Sequence, residues 1–107
     1  MRIAWETLSE VDNAGFNIWR SDATDGDYIK LNAALIAAQG GPTLGAAYTF
    51  DDADVRAGST YFYKLEAVDV YGVGTFNGPV SVEVNPLRRL LPARPRLQPG
   101  SGLHIRH

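Results

Sequence analysis

Twelve carboxylates and two histidines are the side chains of this 107-residue sequence best suited to chemistry, and their spacing decides what kind. Asp22, Asp25 and Asp27 crowd one loop, S-D-A-T-D-G-D, as calcium ligands do. A calcium loop of the helix–loop–helix type needs oxygen ligands at its first, third, fifth and twelfth positions. Counted from Asp22, the last three of these are Thr24, Gly26 and Ala33, so the pattern fails. Asp51, Asp52 and Asp54 form a second cluster. For both, solvated turn aspartates are the preferred reading, because Asp suits turns by bonding its own backbone.

Glu6 and Glu10 are the carboxylates nearest to a glycosidic acid–base pair, but that chemistry needs a cleft and two separated pKa values. His104 and His107 both fall in the last four residues, and no histidine lies earlier to activate a serine. Gly40-Gly41 and Gly72-Val73-Gly74 lack the lysine and strand–helix context of a phosphate loop. Catalysis is therefore not expected, and neither a cofactor nor a metal is assigned. The polar residues leave no specific activity to read beyond that of an all-β domain.

The elements that must carry these residues are strands. Val55–Val68 holds the clearest pattern: a turn, Ala57-Gly58-Ser59, then Tyr61, Tyr63, Leu65 and Ala67 on one face and Phe62, Lys64 and Glu66 on the other. Alternation of this kind is what a half-buried strand requires. Arg2–Thr7 alternates likewise, with Ile3 and Trp5 together, and Phe16–Arg20 places Phe16 and Ile18 inward and Trp19 outward. Tyr28–Leu31 and Tyr48–Asp51 read as short strands, and Thr75–Val84 as the last, with Pro79 suited to an edge or bulge. Asn32–Ala47 is expected to be a long irregular connection that tucks Leu35 or Ile36 into the core. Six short strands without a convincing helix favour a β-sandwich.

Trp19 and Tyr71 are the aromatics expected at the surface, where they would stack on a sugar or dock a neighbour. The competing expectation is that Phe62 or Tyr28 packs over Trp19, since cross-strand aromatic pairs stabilise sheets.

Val55-x-Ala57-Gly58-Ser59-x-Tyr61 followed by Tyr63, Leu65 and Ala67 resembles the signature of fibronectin type III domains. The segment W-E-T-L-S-E-V-D-N-A-G-F-N-I-W-R resembles a variant found at the C-terminal ends of secreted or surface-attached bacterial proteins. The resemblance runs from about Ile3 to Val84. It implies an immunoglobulin-like sandwich over residues 1–85, with Trp5, Phe16, Ile18, Tyr61, Tyr63, Leu65 and Ala67 as its core. It also makes Tyr61 a corner tyrosine bonded to backbone near Val55–Gly58. The implied role is a non-catalytic extracellular spacer, adhesion or attachment module of a larger exported protein. The alternative is a carbohydrate-associated module using Trp19 and Tyr71, and the least favoured is a fragment or accessory domain of a hydrolase.

Two positions depart from that family. Ala57 stands where a proline is usual. Only four residues precede Trp5, so the family's first strand is missing, and an unpaired sheet edge beside Trp5 would invite another chain. Three readings follow: a fragment or miscalled start, completion by strand exchange with a partner, or an edge covered by the tail.

Charge divides the chain. Residues 1–87 hold five basic and all twelve acidic groups, a net −7, whereas residues 88–107 hold five arginines and no acid. An acidic body argues against nucleic acid as a partner. A protein or a surface glycan remains. Residues 86–107, rich in Arg and Pro, read as a basic, extended and mobile tail. One expectation is that it binds an anionic surface or serves as a processing or anchoring segment; the other, favoured at least equally, is a disordered terminus. The longest apolar run, Ala33–Ala38, is six residues, far short of the ~20 that span a bilayer.

Overall fold

The computed structural model describes residues 1–84 and the backbone of 103–106. Among these residues there is no helix, and eight strands form two antiparallel sheets, as a β-sandwich requires. They are β1 (Arg2–Thr7), β2 (Asn13–Ser21), β3 (Ile29–Lys30), β4 (Ile36–Ala37), β5 (Ala47–Asp51), β6 (Thr60–Asp69), β7 (Gly74–Glu83) and β8 (Leu103–Arg106). One sheet runs β5-β1-β8. The other runs β3-β2-β6-β7, with β4 also pairing β2.

The period-two residues meet between the sheets. Ile3 and Trp5 of β1, Phe16 and Ile18 of β2, Tyr48 of β5, Tyr63 and Leu65 of β6, and Val80 and Val82 of β7 are all buried. Tyr61 and Ala67 are partly buried against this cluster. Trp5 is fully enclosed, stacked on Tyr48 at 5.3 Å and edge-on to Phe16 at 5.6 Å. Such aromatic pairs add to the stabilisation from area burial alone. The Trp5 indole N–H is buried with no hydrogen-bond partner among the described residues.

Tight turns fix the strand ends. Gly58 takes φ +86°, a left-handed conformation open to glycine at little cost, and the Arg56 N–H donates to the Tyr61 hydroxyl at 2.9 Å just beyond it. Gly15 lets β4 lie close, since a side chain there would strike the Ile36 carbonyl and Leu35. The Asn32–Ala47 connection thus contains a short strand, and of its two candidate residues Ile36 packs on the core while Leu35 is exposed. Pro79 lies in edge strand β7, where the ladder with β6 slips between Tyr63 and Leu65.

The edge beside Trp5 is not open. β8 pairs antiparallel along it, from Thr7 opposite Leu103 to Ala4 opposite Arg106. Of the three readings of this edge, the pairing agrees with an edge covered by the tail rather than one left unpaired. Residues 103–106 alternate and satisfy the backbone groups that β1 would otherwise expose, which is the physical reason they pair. His104 accordingly lies in a strand, opposite Glu6. The rest of the expected tail lies outside the described residues.

Candidate functional site

Three connections converge where β1 ends and β2 begins. The β1–β2 loop is tied to the β4–β5 connection by the Glu10 N–H to the Gly41 carbonyl (2.7 Å) and the Thr7 N–H to the Ala46 carbonyl (2.9 Å). It is tied to the β6–β7 turn by the Val70 N–H to the Asp12 carbonyl (2.8 Å). Asp12 itself takes φ +54°, a conformation Asp tolerates better than most residues. The β6–β7 turn closes on Asp69, whose Oδ1 accepts the Tyr71 and Val73 N–H groups, each at 2.9 Å. Tyr71 is thereby held out of the fold at 80% exposure.

Between these loops opens a cleft of about 310 Å³. Glu10, Asp69, Asn13 and Asn77 are among its polar lining residues, together with hydroxyl side chains, and Val11 and Val73 line it beside the buried ring of Phe16. Glu10 is only 5% exposed. Its carboxylate accepts the Thr7 hydroxyl (2.5 Å), the Tyr48 hydroxyl (2.6 Å) and the Gly40 N–H (3.2 Å). Burial alone would push the Glu10 carboxyl up, but these donors and the Asn13 side chain outweigh it and hold the group below its ordinary value. Tyr48 moves the other way. Burial, reinforced by its bond to the Glu10 carboxylate, pushes its phenol up to about 12. Glu10 is therefore an anion at neutral pH whose lone pairs are engaged, the opposite of a general acid poised near the working pH.

At the far end of the sandwich sits a second buried carboxylate. Asp52 is 3% exposed, which corrects the expectation of a solvated turn aspartate. It accepts two contacts from one Arg20 guanidinium nitrogen (2.7 and 2.8 Å) and the Tyr63 hydroxyl (2.8 Å). The Arg20 guanidinium also lies 5.5 Å from the centre of the Tyr61 ring. Burial lowers the Arg20 pKa, but the bond to Asp52 wins and raises it overall; burial and the same carboxylate raise Tyr63. The reason Asp52 is dry is tertiary: its partner comes from β2, 32 residues away.

Trp19 lies on the outer face of the five-stranded sheet. Phe76, rather than Phe62 or Tyr28, packs edge-on against it at 6.1 Å, and its indole N–H donates to Glu66 at 3.0 Å. Glu66 also accepts the Asn17 amide at 3.0 Å. Tyr28 is covered by the Lys64 ammonium, 4.2 Å from its ring centre. Trp19 pairs with Lys64, and Tyr71 follows the end of β6 five residues further on, roughly 16 Å along the strand. The two expected surface aromatics therefore do not form one platform.

Glu10 and the cleft were not expected as a binding feature. The signal available in the sequence was Thr7-x-x-Glu10 at a strand end, three residues apart and followed by Asn13. Among the described residues no group of three metal-ligating side chains assembles, and no helix is long and apolar enough to cross a membrane. Comparison with known proteins found no family model, curated protein or solved structure that matches the chain.

Proposed function

We propose that this chain is a non-catalytic attachment module of a larger exported bacterial protein, and that it grips a partner protein with its loop end. One observation carries the reading. Leu8, Val11, Leu44, Val70, Tyr71 and Val73 are six of the nine exposed large apolar side chains among the described residues, and all belong to the three connections around the cleft. Apolar side chains gathered at one place on a surface mark an interaction site, whereas scattered ones do not. Tyrosine held rigidly by its turn is a residue type that dominates binding energy at protein interfaces.

A fibronectin type III-like identity agrees with this role. The pairing of β1 with β5 and of β2 with β6 and then β7 supports it, as does the Tyr61 hydroxyl bonded to backbone beyond the Gly58 turn. So does β8, which pairs along the edge of β1 where that family's first strand would lie. An extracellular location rests on the same resemblance.

The test is adhesion of beads carrying the whole chain to a panel of purified cell-surface and matrix proteins. Wild-type beads should adhere to at least one, and Tyr71→Ala combined with Val73→Ser should reduce adhesion on the order of tenfold or more. Undiminished adhesion by the double variant, or turnover of ester, glycoside or phosphate substrates by the wild type, would overturn the reading.

A further inference from the structure

We infer that the cleft receives a basic side chain, arginine or lysine, from an extended segment of a partner protein whose neighbouring aliphatic residues cover Val11, Tyr71 and Val73. The inference rests on the attachment reading above and specifies the partner's chemistry.

The argument is one of charge. Two carboxylates, Glu10 and Asp69, line the cleft, and none of its lining residues is basic. Glu10 is satisfied only by neutral donors: two hydroxyls, a backbone N–H and the Asn13 side chain. Asp69 bonds its turn through Oδ1 alone, so its second oxygen has no partner among the described residues. A nearly dry carboxylate attracts a cation more strongly than an exposed one, because water screens it less. Neutral donors do not cancel that charge, and the body around it is itself acidic, at −7.

The other buried carboxylate supplies the comparison. Asp52 has its cation in place, Arg20 at 2.7 Å. Glu10 has a cleft where Asp52 has an arginine. The volume, about 310 Å³, accepts a long side chain, and carboxylates bind guanidinium with directional, charge-assisted hydrogen bonds. A metal ion fits less well, since no group of three ligating side chains exists among the described residues. A neutral sugar would leave both carboxylates without a counter-charge.

The experiment titrates the full ¹⁵N-labelled chain with three blocked peptides of sequence Gly-Leu-X-Leu-Gly, where X is arginine, glutamine or glutamate. The arginine peptide should shift the amides of Glu10, Val11, Asp69 and Val73, and bind on the order of tenfold more tightly than the glutamine peptide. The glutamate peptide should not bind, and added salt should weaken only the arginine peptide. Asp69→Asn keeps Oδ1 for the turn and should erase most of the arginine preference; Glu10→Gln provides a second, independent variant.

Equal binding of the arginine and glutamine peptides at these amides would overturn the charge inference while leaving an apolar attachment site standing. Failure of all three peptides to shift these amides would overturn it too. The attachment reading would then depend on bead adhesion alone. Substituting Arg88, Arg89, Arg94 and Arg96 by Gln addresses one rival occupant. If the same amides move without any peptide, the chain's own tail fills the cleft, and a partner protein as occupant is overturned.

Discussion

Asp52 and Glu10 are both carboxylates that folding removes from water, and they hold the two ends of the sandwich in different ways. Asp52 is closed by a cation. Arg20, Tyr63 and the Asp54 N–H converge on its oxygens, while its backbone exchanges hydrogen bonds with Met1 in both directions. Glu10 is closed by neutral donors from β1, the β4–β5 connection and β5, and lines a cleft. A buried ion pair completes itself, whereas a buried anion held by dipoles keeps its charge available. The first end is therefore built as a clasp, and the second is the end at which we propose attachment.

The largest effect should come from opening the clasp. Asp52→Ala leaves the Arg20 guanidinium and the Tyr63 hydroxyl buried without their acceptor, and breaking such a pair from one side costs about 3–5 kcal/mol. Urea unfolding followed by tryptophan fluorescence measures it. Replacing Arg20 with Met in the same chain should restore part of the loss, since no uncompensated charge then remains. A double variant no more stable than Asp52→Ala would show that Arg20 is not what Asp52 serves.

Glu10→Ala should cost less, about 1.5–3 kcal/mol, because the groups it strands are neutral and border an open cleft where water can replace the carboxylate. A loss as large as that of Asp52→Ala would erase the proposed difference between the two ends.

These two residues also mark the limit of what was legible in the sequence. Strand periodicity was legible wherever a strand is long enough to repeat: Ile3 and Trp5, Phe16 and Ile18, and Tyr63 and Leu65 all reach the core faces that alternation assigns to them. Strand β8 was not, because four residues, Leu103–Arg106, show barely two periods inside an Arg- and Pro-rich context. Strand β4 is two residues long and exists through its pairing with Gly15 and Phe16, not through propensity. The burial of Asp52 depends on an arginine from another strand. The cleft is assembled from three connections that come together only when the sheets pack, so no single window of sequence contains it.

Acid and alkali should separate the two ends next. The Glu10 carboxyl is held below its ordinary value of 4.5, so the unfolded chain binds the proton more readily. Its contribution is present above about 4.5 and is lost as pH falls through the lower folded value. Glu10→Gln should flatten the rise of stability with pH in that window, leaving the slope due to Asp51, which Arg2 also holds low. On the alkaline side Tyr48 is raised to about 12, so its contribution is complete below about 10 and disappears as pH rises through 12. In Glu10→Gln the phenol should ionise at lower pH, moving only part of the way back because burial, its larger cause, remains. Ultraviolet absorbance of tyrosinate measures it, and an unmoved titration would mean that the Tyr48–Glu10 bond is not made in solution.

The smallest effect on stability should come from Tyr71→Ala, and that smallness is its value. Tyr71 is 80% exposed, and its backbone N–H, not its ring, makes the bond to Asp69 that shapes the turn. Surface changes of this kind usually stay within about 0.5 kcal/mol. If the loop end is a place of attachment, the same substitution should weaken partner binding far more than it weakens the fold, because the aromatic ring gains its contacts only when a partner covers it. Unfolding and adhesion measured on one preparation put the two quantities side by side. A variant that loses both in proportion would make Tyr71 a structural residue and turn the loop end into a second clasp. One that keeps its stability and loses adhesion would separate holding the fold from holding the partner, at opposite ends of the same sandwich.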